Sequence, residues 1–374
     1  MLIAGCLWPA LQMPQERLEE KMKLRSVVMM GMVVGLMFAG PITSVSAANK
    51  TQSGTKASAS KSKSVRSKSA QKAPARLAKR TSVKKSKRIA RAKAVVAASA
   101  AAAASDGLPA LDHDGNPLLA SASVLVMDQS SGEVLLEKNA RSVVPIASIT
   151  KLMTAMVVLD SHPNLSEFVV VDESDIDTLK GSRSRLPVGS VLSREDMLRV
   201  ALMASENRAA SSLARHYPGG MPAFVAAMNQ KANSLGLVDT RFYDSTGLNS
   251  GNVSSARDLT KLVSAASRYP LIREFSTSSE YYVEVRGQMR RFGNTNALVK
   301  NSEWQIGLSK TGFINESGRC LVMQAWLRNK PMIIVLLDSF GKYTRTADAQ
   351  RIKKWVETVG DAPGLAARLR PVSG

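Results

Sequence analysis

A serine and a lysine stand three residues apart, at Ser148 and Lys151, where the spacing of apolar residues predicts a helix. Residues at this spacing share one helix face, so the lysine amine can reach the serine hydroxyl. A hydroxyl becomes a good nucleophile when a nearby base takes its proton, and lysine is such a base once burial or a like charge lowers its pKa. The pair therefore predicts a serine nucleophile with a lysine general base.

The tripeptide Ser205-Glu206-Asn207 follows inside a stretch that reads as helical. A second serine hydroxyl near the first would relay a proton to a leaving amine. The amide of Asn207 would orient both the catalytic lysine and the backbone of a substrate. This tripeptide means little by itself, and its value lies in its place after Ser148 and Lys151.

The tripeptide Lys310-Thr311-Gly312 lies on a predicted strand. Its lysine and its hydroxyl suit a carboxylate or a carbonyl group of a substrate. Glycine in a strand lets another backbone approach closely, and an edge strand can pair with an extended peptide. The strand is therefore predicted to bind substrate opposite the nucleophile.

Each motif also has a structural alternative. Ser148 would serve equally as a helix N-cap, and the spacing Ser-x-x-Lys recurs at Ser53 and Ser82 in a segment with no other sign of a site. Lys-Thr-Gly is rarer than Ser-x-x-Lys. The order of all three motifs, each in a suitable predicted element, is what indicates a single active site.

Strands are predicted near both ends of the folded region, and helices are predicted between them. The predicted strands are 122–128, 133–137, 281–286, 307–313, 320–327 and 331–337, and the predicted helices are 148–159, 194–216, 221–235, 255–267 and 347–359. This order predicts an α/β domain over residues 106–374. Its sheet would be built from both termini, with a helical domain inserted at roughly residues 164–295.

The three motifs together resemble those of penicillin-binding proteins and class A β-lactamases, and the resemblance covers residues 115–365. More narrowly, the chain resembles the low-molecular-weight penicillin-binding proteins that are D-alanyl-D-alanine peptidases. The segments that carry this narrower resemblance are 145–154, 244–248, Asn252, 255–259, 294–296 and 310–323. The last two segments are most similar to the endopeptidase branch.

The resemblance implies an antiparallel sheet flanked by helices, with an inserted all-helical domain. It implies an acyl-enzyme on Ser148, with the backbone N–H groups of Ser148 and Phe313 as the oxyanion hole. Phe313 departs from the histidine often found in the carboxypeptidase branch, a departure that bears on substrate preference. Many carboxypeptidases of this family carry a β-rich second domain and a C-terminal anchor, but only about sixty residues follow Gly312 here, which favours an endopeptidase that cuts peptidoglycan cross-links. A carboxypeptidase acting on pentapeptides stays open, and β-lactam antibiotics are expected as inhibitors.

Two other functions fit less well. Class A β-lactamases need a glutamate to activate the deacylating water, but no glutamate lies between Glu206 and Glu274. A non-catalytic wall-binding protein would not need Ser148, Lys151 and Lys310 together.

The cysteines and histidines support neither a disulfide nor a metal site. Cys6 falls in the predicted leader, so Cys320 is left without a partner, and its apolar surroundings predict a buried strand thiol. His113, His162 and His216 have no paired spacing. No metal and no cofactor are therefore predicted.

The N-terminal 48 residues read as a signal peptide. Basic residues precede an uncharged run of fourteen residues at 27–40, and small residues then offer a cleavage site near Ala47. Acidic residues before this run are atypical of a signal, which suggests that translation begins at Met22. The protein is therefore predicted to be exported to the periplasm.

Most of the formal charge of +21 belongs to one segment, because residues 49–105 hold sixteen Lys or Arg residues and no Asp or Glu. Composition of this kind predicts a disordered tether. Export argues against nucleic acid as its partner. An anionic envelope polymer, a lipid surface, or no partner at all for a plain spacer are the remaining interpretations.

Overall fold

The computed structural model describes residues 109–359. The predicted signal peptide at 1–48 and the predicted tether at 49–105 lie outside the described residues. Within residues 109–359, no helix combines the length and the apolar character that crossing a bilayer requires.

Strands lie mainly toward the two ends of the described chain, and most helices lie between them. The strands are β1 (Ser121–Asp128), β2 (Val134–Lys138), β3 (Val144–Pro145), β4 (Phe168–Val170), β5 (Val191–Ser193), β6 (Val253–Ser254), β7 (Glu280–Val285), β8 (Gln288–Gly293), β9 (Gln305–Ile314), β10 (Gly318–Leu327) and β11 (Lys330–Ser339). The helices are α1 (Thr150–Asp160), α2 (Arg194–Met203), α3 (Asn207–Arg215), α4 (Gly220–Ser234), α5 (Ala256–Ala266), α6 (Pro270–Thr277) and α7 (Thr344–Val359).

The main sheet has five antiparallel strands in the order β2-β1-β11-β10-β9. Strand β1, from the start of the domain, pairs with β11 from its end, and Leu125 lies opposite Val335. The prediction that both termini build the sheet is thereby confirmed. Strand β9 is an edge strand, so its outer side is available to the groove that contains the site.

Both faces of this sheet are buried, because its central strands are apolar at almost every position. Leu125 of β1 faces one core cluster, which includes helices α1 and α5. The neighbouring Val124 and Val126 face the other cluster, which includes Ile352 and Trp355 of α7. Alternation of side chains along a strand explains how one strand serves both cores. The antiparallel sheet flanked by helices agrees with the expected α/β fold.

The insert at roughly residues 164–295 was predicted to be all helical, and that prediction is wrong because the insert also contains strands. Strands β4 and β5 form one antiparallel pair, and β7 and β8 form another. Strand β8 was not predicted, because polar and apolar residues do not alternate along its sequence, Gln-Met-Arg-Arg-Phe-Gly. A tight turn between β7 and β8 brings β8 beside β7. Arg286 and Gly287 in that turn both have positive φ, as a tight hairpin turn requires.

The stretch 194–216, predicted as one helix, is two helices separated at residues 204–206. Helix α2 ends at Met203 and helix α3 begins at Asn207. Ser205 lies in the break with a φ of 61°, a left-handed conformation that no helix accommodates. The prediction was wrong because the helical spacing of apolar residues continues across the break. The break contains Ser205, one of the predicted site residues.

Cys320 is buried in β10, as predicted. Burial raises the pKa of its thiol to about 11, so the thiol is protonated at neutral pH.

Candidate active site

Ser148, the predicted nucleophile, sits in a short 3-10 turn, Ala147–Ile149, immediately before α1. Ala147 has a φ of 47°, a strained conformation for a residue with a side chain. Two glycines pack closely against the turn. A Cβ atom on Gly247 would overlap the Ala147 carbonyl, and one on Gly312 would lie 2.8 Å from the Ile146 carbonyl oxygen. Close backbone packing therefore holds Ser148 in place.

Lys151, one helical turn after Ser148, is buried with 1% of its surface exposed. Its Nζ donates to the Oγ of Ser148 at 2.9 Å and to the Oδ1 of Asn207 at 2.7 Å. It also donates to the backbone carbonyl of Thr246 at 2.7 Å. Three acceptors therefore direct the amine, and the nucleophilic hydroxyl is one of them.

Burial lowers the pKa of Lys151 to about 7, against the opposing effect of the Asp244 and Glu206 carboxylates. An amine with this pKa is neutral in a large fraction of molecules near pH 7, so it can accept the hydroxyl proton. Burial also lowers the pKa of Lys310 well below its usual value, and the positive charges of Lys151 and Arg345 act in the same direction.

The break between α2 and α3 points successive side chains to different partners. The Oγ of Ser205 accepts a hydrogen bond from Lys310 Nζ at 2.8 Å. Asn207 bonds Lys151 through its oxygen, and its Nδ2 donates to Ser182 Oγ at 2.8 Å.

Glu206, between these two residues, turns away from the nucleophile. Its carboxylate accepts from the Ser184 hydroxyl at 2.7 Å and from the backbone N–H of Arg185 at 3.2 Å. These contacts attach the loop that precedes β5 to the start of α3. Glu206 therefore supports the wall of the site.

Strand β9 forms the opposite wall. Lys310 and Thr311 are almost fully buried, whereas the Phe313 side chain is 51% exposed. The Thr311 hydroxyl donates to the Thr295 hydroxyl at 2.7 Å, and the Gly312 carbonyl accepts from Arg345 at 2.9 Å. Helix α6 covers the first half of the strand, where the Ser309 N–H bonds Ser276.

The structure brings together all five side chains that were predicted to do chemistry: Ser148, Lys151, Ser205, Asn207 and Lys310. Thr311, Gly312 and Phe313 follow Lys310 along the same edge. One detail differs from a simple relay, because Ser205 is hydrogen-bonded to Lys310 and Lys151 is bonded to Ser148 and Asn207.

Sequence reasoning missed several residues that contact the motif side chains or backbone, among them Ser182, Thr246, Thr295 and Arg345. Thr246 and Thr295 fall in segments 244–248 and 294–296, where the family resemblance already offered a signal. Ser182 and Arg345 lie in polar stretches of ordinary composition, and only the folded chain shows their contacts.

A hydroxyl bonded to a buried amine of lowered pKa, facing a second buried lysine, is an arrangement suited to nucleophilic acyl transfer. The sequence profile of the D-alanyl-D-alanine carboxypeptidase family matches residues 112–341. The D-alanyl-D-alanine endopeptidase of Pseudomonas aeruginosa is 54% identical over 242 residues, covering 64% of this chain and 78% of the relative. That of Escherichia coli is 50% identical over 255 residues, covering 68% and 82%.

Among solved structures, the Streptomyces K15 DD-transpeptidase superposes with a TM-score of 0.60 at 30% sequence identity. The match covers 64% of this chain and 97% of that protein. The similarity therefore spans nearly the whole of a penicillin-binding fold.

Replacement of Gly247 by alanine is expected to disrupt the nucleophile turn. The new Cβ would overlap the Ala147 carbonyl at a φ of 81°, so both sterics and backbone conformation oppose it. We expect a loss of more than about 2 kcal/mol in the free energy of unfolding, and greatly slowed acylation by a fluorescent penicillin. Urea denaturation and labelling rates measure the two effects.

Gly287→Ala is the matched control, because Gly287 has a similar φ of 75° but open space around the new Cβ. It should cost about 1 kcal/mol and leave acylation unchanged. Equal losses of stability and labelling in both variants would contradict the proposed role of Gly247.

Proposed function

Because the chain belongs to the D-alanyl-D-alanine carboxypeptidase family of serine peptidases, we propose that it hydrolyses the D-alanyl cross-links between peptidoglycan stem peptides, with Ser148 as nucleophile. The observation that carries this proposal is the 2.9 Å contact between Ser148 Oγ and the buried Lys151 amine. The endopeptidase names of the relatives that are 54% and 50% identical support a cross-link as the substrate.

In the first step, neutral Lys151 takes the proton of the Ser148 hydroxyl as its oxygen attacks the carbonyl carbon of the D-alanyl residue. The developing oxyanion lies between the backbone N–H groups of Ser148 and Phe313. The close approach of Gly312 to the turn supports this placement, since a Cβ on Gly312 would lie 3.3 Å from Ser148 N.

The leaving amine then needs a proton. The Ser205 hydroxyl supplies it and takes a replacement proton from Lys310, whose Nζ lies 2.8 Å from its oxygen. Lys310 holds that proton while a substrate carboxylate is bound beside it, because opposite charge favours the ammonium, and it regains a proton from solvent afterwards. Asn207 keeps Lys151 directed at the nucleophile throughout this step. The products are the free amine and an ester between Ser148 and the D-alanyl residue.

A water molecule completes the reaction. Lys151, after returning its proton to solvent, takes a proton from that water as the water attacks the ester in the same oxyanion hole. Lys151 then passes this proton to the leaving Ser148 oxygen, which lies 2.9 Å away, and the hydroxyl and the neutral amine are both restored. The same two groups thus serve acylation and deacylation.

The free carboxylate beside the cross-link is the group that Lys310 and Thr311 recognise. A bound carboxylate favours the protonated form of Lys310, because opposite charges attract. The Thr311 hydroxyl offers a hydrogen bond after turning from Thr295. A pentapeptide that ends in D-alanyl-D-alanine presents the same carboxylate, and the matching family profile favours that second candidate substrate.

β-Lactam antibiotics are proposed to acylate Ser148, and the resulting penicilloyl ester is proposed to be hydrolysed slowly. The carboxylate of Glu206, the middle residue of the second motif, is already engaged by Ser184 and Arg185. It therefore offers no free base to the water that would release a penicilloyl group. This contact supports inhibition over rapid antibiotic hydrolysis.

The purified protein is expected to convert cross-linked peptidoglycan dimers to monomers. Ser148→Ala should lower that rate at least about a thousandfold and abolish labelling by a fluorescent penicillin, because no other group replaces the nucleophile. Ser234→Ala, at the end of α4, is the control and should behave as wild type.

Mass analysis of the peptidoglycan fragments distinguishes the endopeptidase reaction from the carboxypeptidase reaction. Loss of one D-alanine from pentapeptides with intact dimers would identify a carboxypeptidase, and equal labelling of Ser148→Ala would rule out this nucleophile.

Acylation is expected to rise with pH and then level off, with a midpoint set by the Lys151 pKa of about 7. Below that pH the amine holds a proton and cannot take another, so the rate should fall about tenfold for each further unit. The second-order rate of penicillin acylation, measured between about pH 5 and pH 9, tests this base. A rate that keeps rising toward pH 10 would show that Lys151 has an ordinary pKa.

The protein is further proposed to act in the periplasm after cleavage near Ala47, with residues 49–105 in contact with an anionic envelope surface. Mass spectrometry of the protein recovered from the periplasm should place its N-terminus near residue 48. Deletion of residues 49–105 should weaken cosedimentation with purified cell walls, and more so at low salt. Unchanged cosedimentation would reduce the segment to a spacer.

A further inference from the structure

A second groove, with a volume of about 790 Å³, opens at the edge of the main sheet opposite to the Ser148 site. Its floor is the corner of the sheet where β1 meets β2, and one of its walls is helix α5. Strands β1, β11 and β10 separate β2 from β9, so the two edges of the sheet are about 19 Å apart. This second groove can therefore be filled while the active site stays open.

The floor of the second groove is apolar and incompletely covered. Helix α5 packs on β1, β10 and β11, and β2 is the outermost strand. Met127 of β1 and Val134 of β2 lie opposite each other and are only partly buried, as is Leu235 beside them. Val238 at the rim is 86% exposed. Apolar side chains on one face of a sheet are normally covered by a second layer, and here the outer corner lacks one.

The wall that α5 contributes is basic. Arg257 and Lys261 of α5, and Arg268 just beyond its end, all line the groove. Their spacing of four and seven residues places them along one side of the helix, in a row about 16 Å long. Arg257 is paired with Glu137 of β2, and Lys261 lies 3.6 Å from a carboxylate oxygen of Asp258.

The groove has an excess of positive charge. Arg141 and the three basic residues of the row line it, against two acidic residues, Asp239 and Asp258. The buried Asp258 carboxylate already accepts the Asp239 N–H at 2.7 Å and the Thr240 hydroxyl at 2.9 Å. Within residues 109–359, neither Arg141 nor Arg268 forms an ion pair. Surplus positive charge beside an apolar floor is complementary to a partner that is both acidic and apolar.

We propose that this second groove binds an acidic amphipathic helix of a partner protein. The floor is a face of the sheet and not its backbone edge, so the occupant packs beside α5 as a further helix. Its apolar side covers Met127 and Val134, and its carboxylates face Lys261 and Arg268. A row of charges about 16 Å long fits repeated carboxylates on a helix better than the single head group of an alkyl amphiphile. The inference does not depend on the reaction at Ser148.

The test measures the binding of three synthetic peptides to the protein by fluorescence anisotropy. The first has leucines on one side of a helix and glutamates, spaced four and seven residues apart, on the other. The second has lysines in place of the glutamates, and the third has the residues of the first in scrambled order. Wild type should bind the first peptide at least about tenfold more tightly than the other two, and salt should weaken this binding.

Two variants separate the charges from the apolar surface. Lys261→Glu combined with Arg268→Glu should reverse the preference, so that the lysine peptide binds more tightly than the glutamate peptide. Val238→Ser should weaken binding of the glutamate peptide by roughly three- to tenfold, because the exposed rim loses its apolar contact. Lys354→Glu, an exposed position of α7 across the sheet, is the matched control and should bind as wild type. Unchanged labelling by a fluorescent penicillin shows that each variant is folded.

Equal or absent binding of all three peptides to wild type would overturn the inference, as would charge-reversed variants that keep the wild-type preference. Tight binding of dodecanoate with no binding of the glutamate peptide would make the groove a site for an alkyl amphiphile. Dimerisation in sedimentation experiments that Lys261→Glu abolishes, again without peptide binding, would make it a contact between two copies of this chain. Each of these last two results also overturns the proposal.

Discussion

The whole site depends on keeping an amine buried and unprotonated beside a hydroxyl. Removing the Lys151 ammonium from water is costly, and this cost lowers its pKa to about 7. The protein offsets the cost with three acceptors: Ser148, Asn207 and the Thr246 carbonyl. The same three bonds direct the amine, so the energetics and the geometry of catalysis have one origin.

The second lysine strengthens this constraint. Lys310 is buried close enough to Lys151 for the positive charge of Lys151 to lower its pKa, and like charges act on each other reciprocally. A pocket of this kind resists holding two protons at once. In the proposed mechanism Lys151 is the proton acceptor, and Lys310 gives up a proton through Ser205 once a bound substrate carboxylate has favoured its charged form. Two residues of the same type take opposite roles because their hydrogen-bond partners differ.

Backbone packing supplies the precision that side chains alone lack. Gly247 and Gly312 approach the nucleophile turn where any Cβ would crowd it, and Ala147 is strained at the point of contact. Ser205 is held in a left-handed conformation between two helices. Strain of this kind persists only when the surrounding structure fixes it. The apolar sheet and its two cores provide that support, because strand β9 of this sheet carries Gly312 against the turn.

The sequence by itself determined which residues form the candidate site and the outline of the fold. The motifs at Ser148, Ser205 and Lys310 named groups that the structure brings together, and the order of strands and helices predicted a sheet built from both termini. Strand β8 and the break at Ser205 were not predictable, because a tight turn and a left-handed residue leave little trace in apolar spacing. The partners of the motifs, such as Ser182 and Arg345, were decided only by the tertiary structure. The physical reason is that burial and distance between remote segments, which set pKa values and bring charges together, are properties of the folded chain.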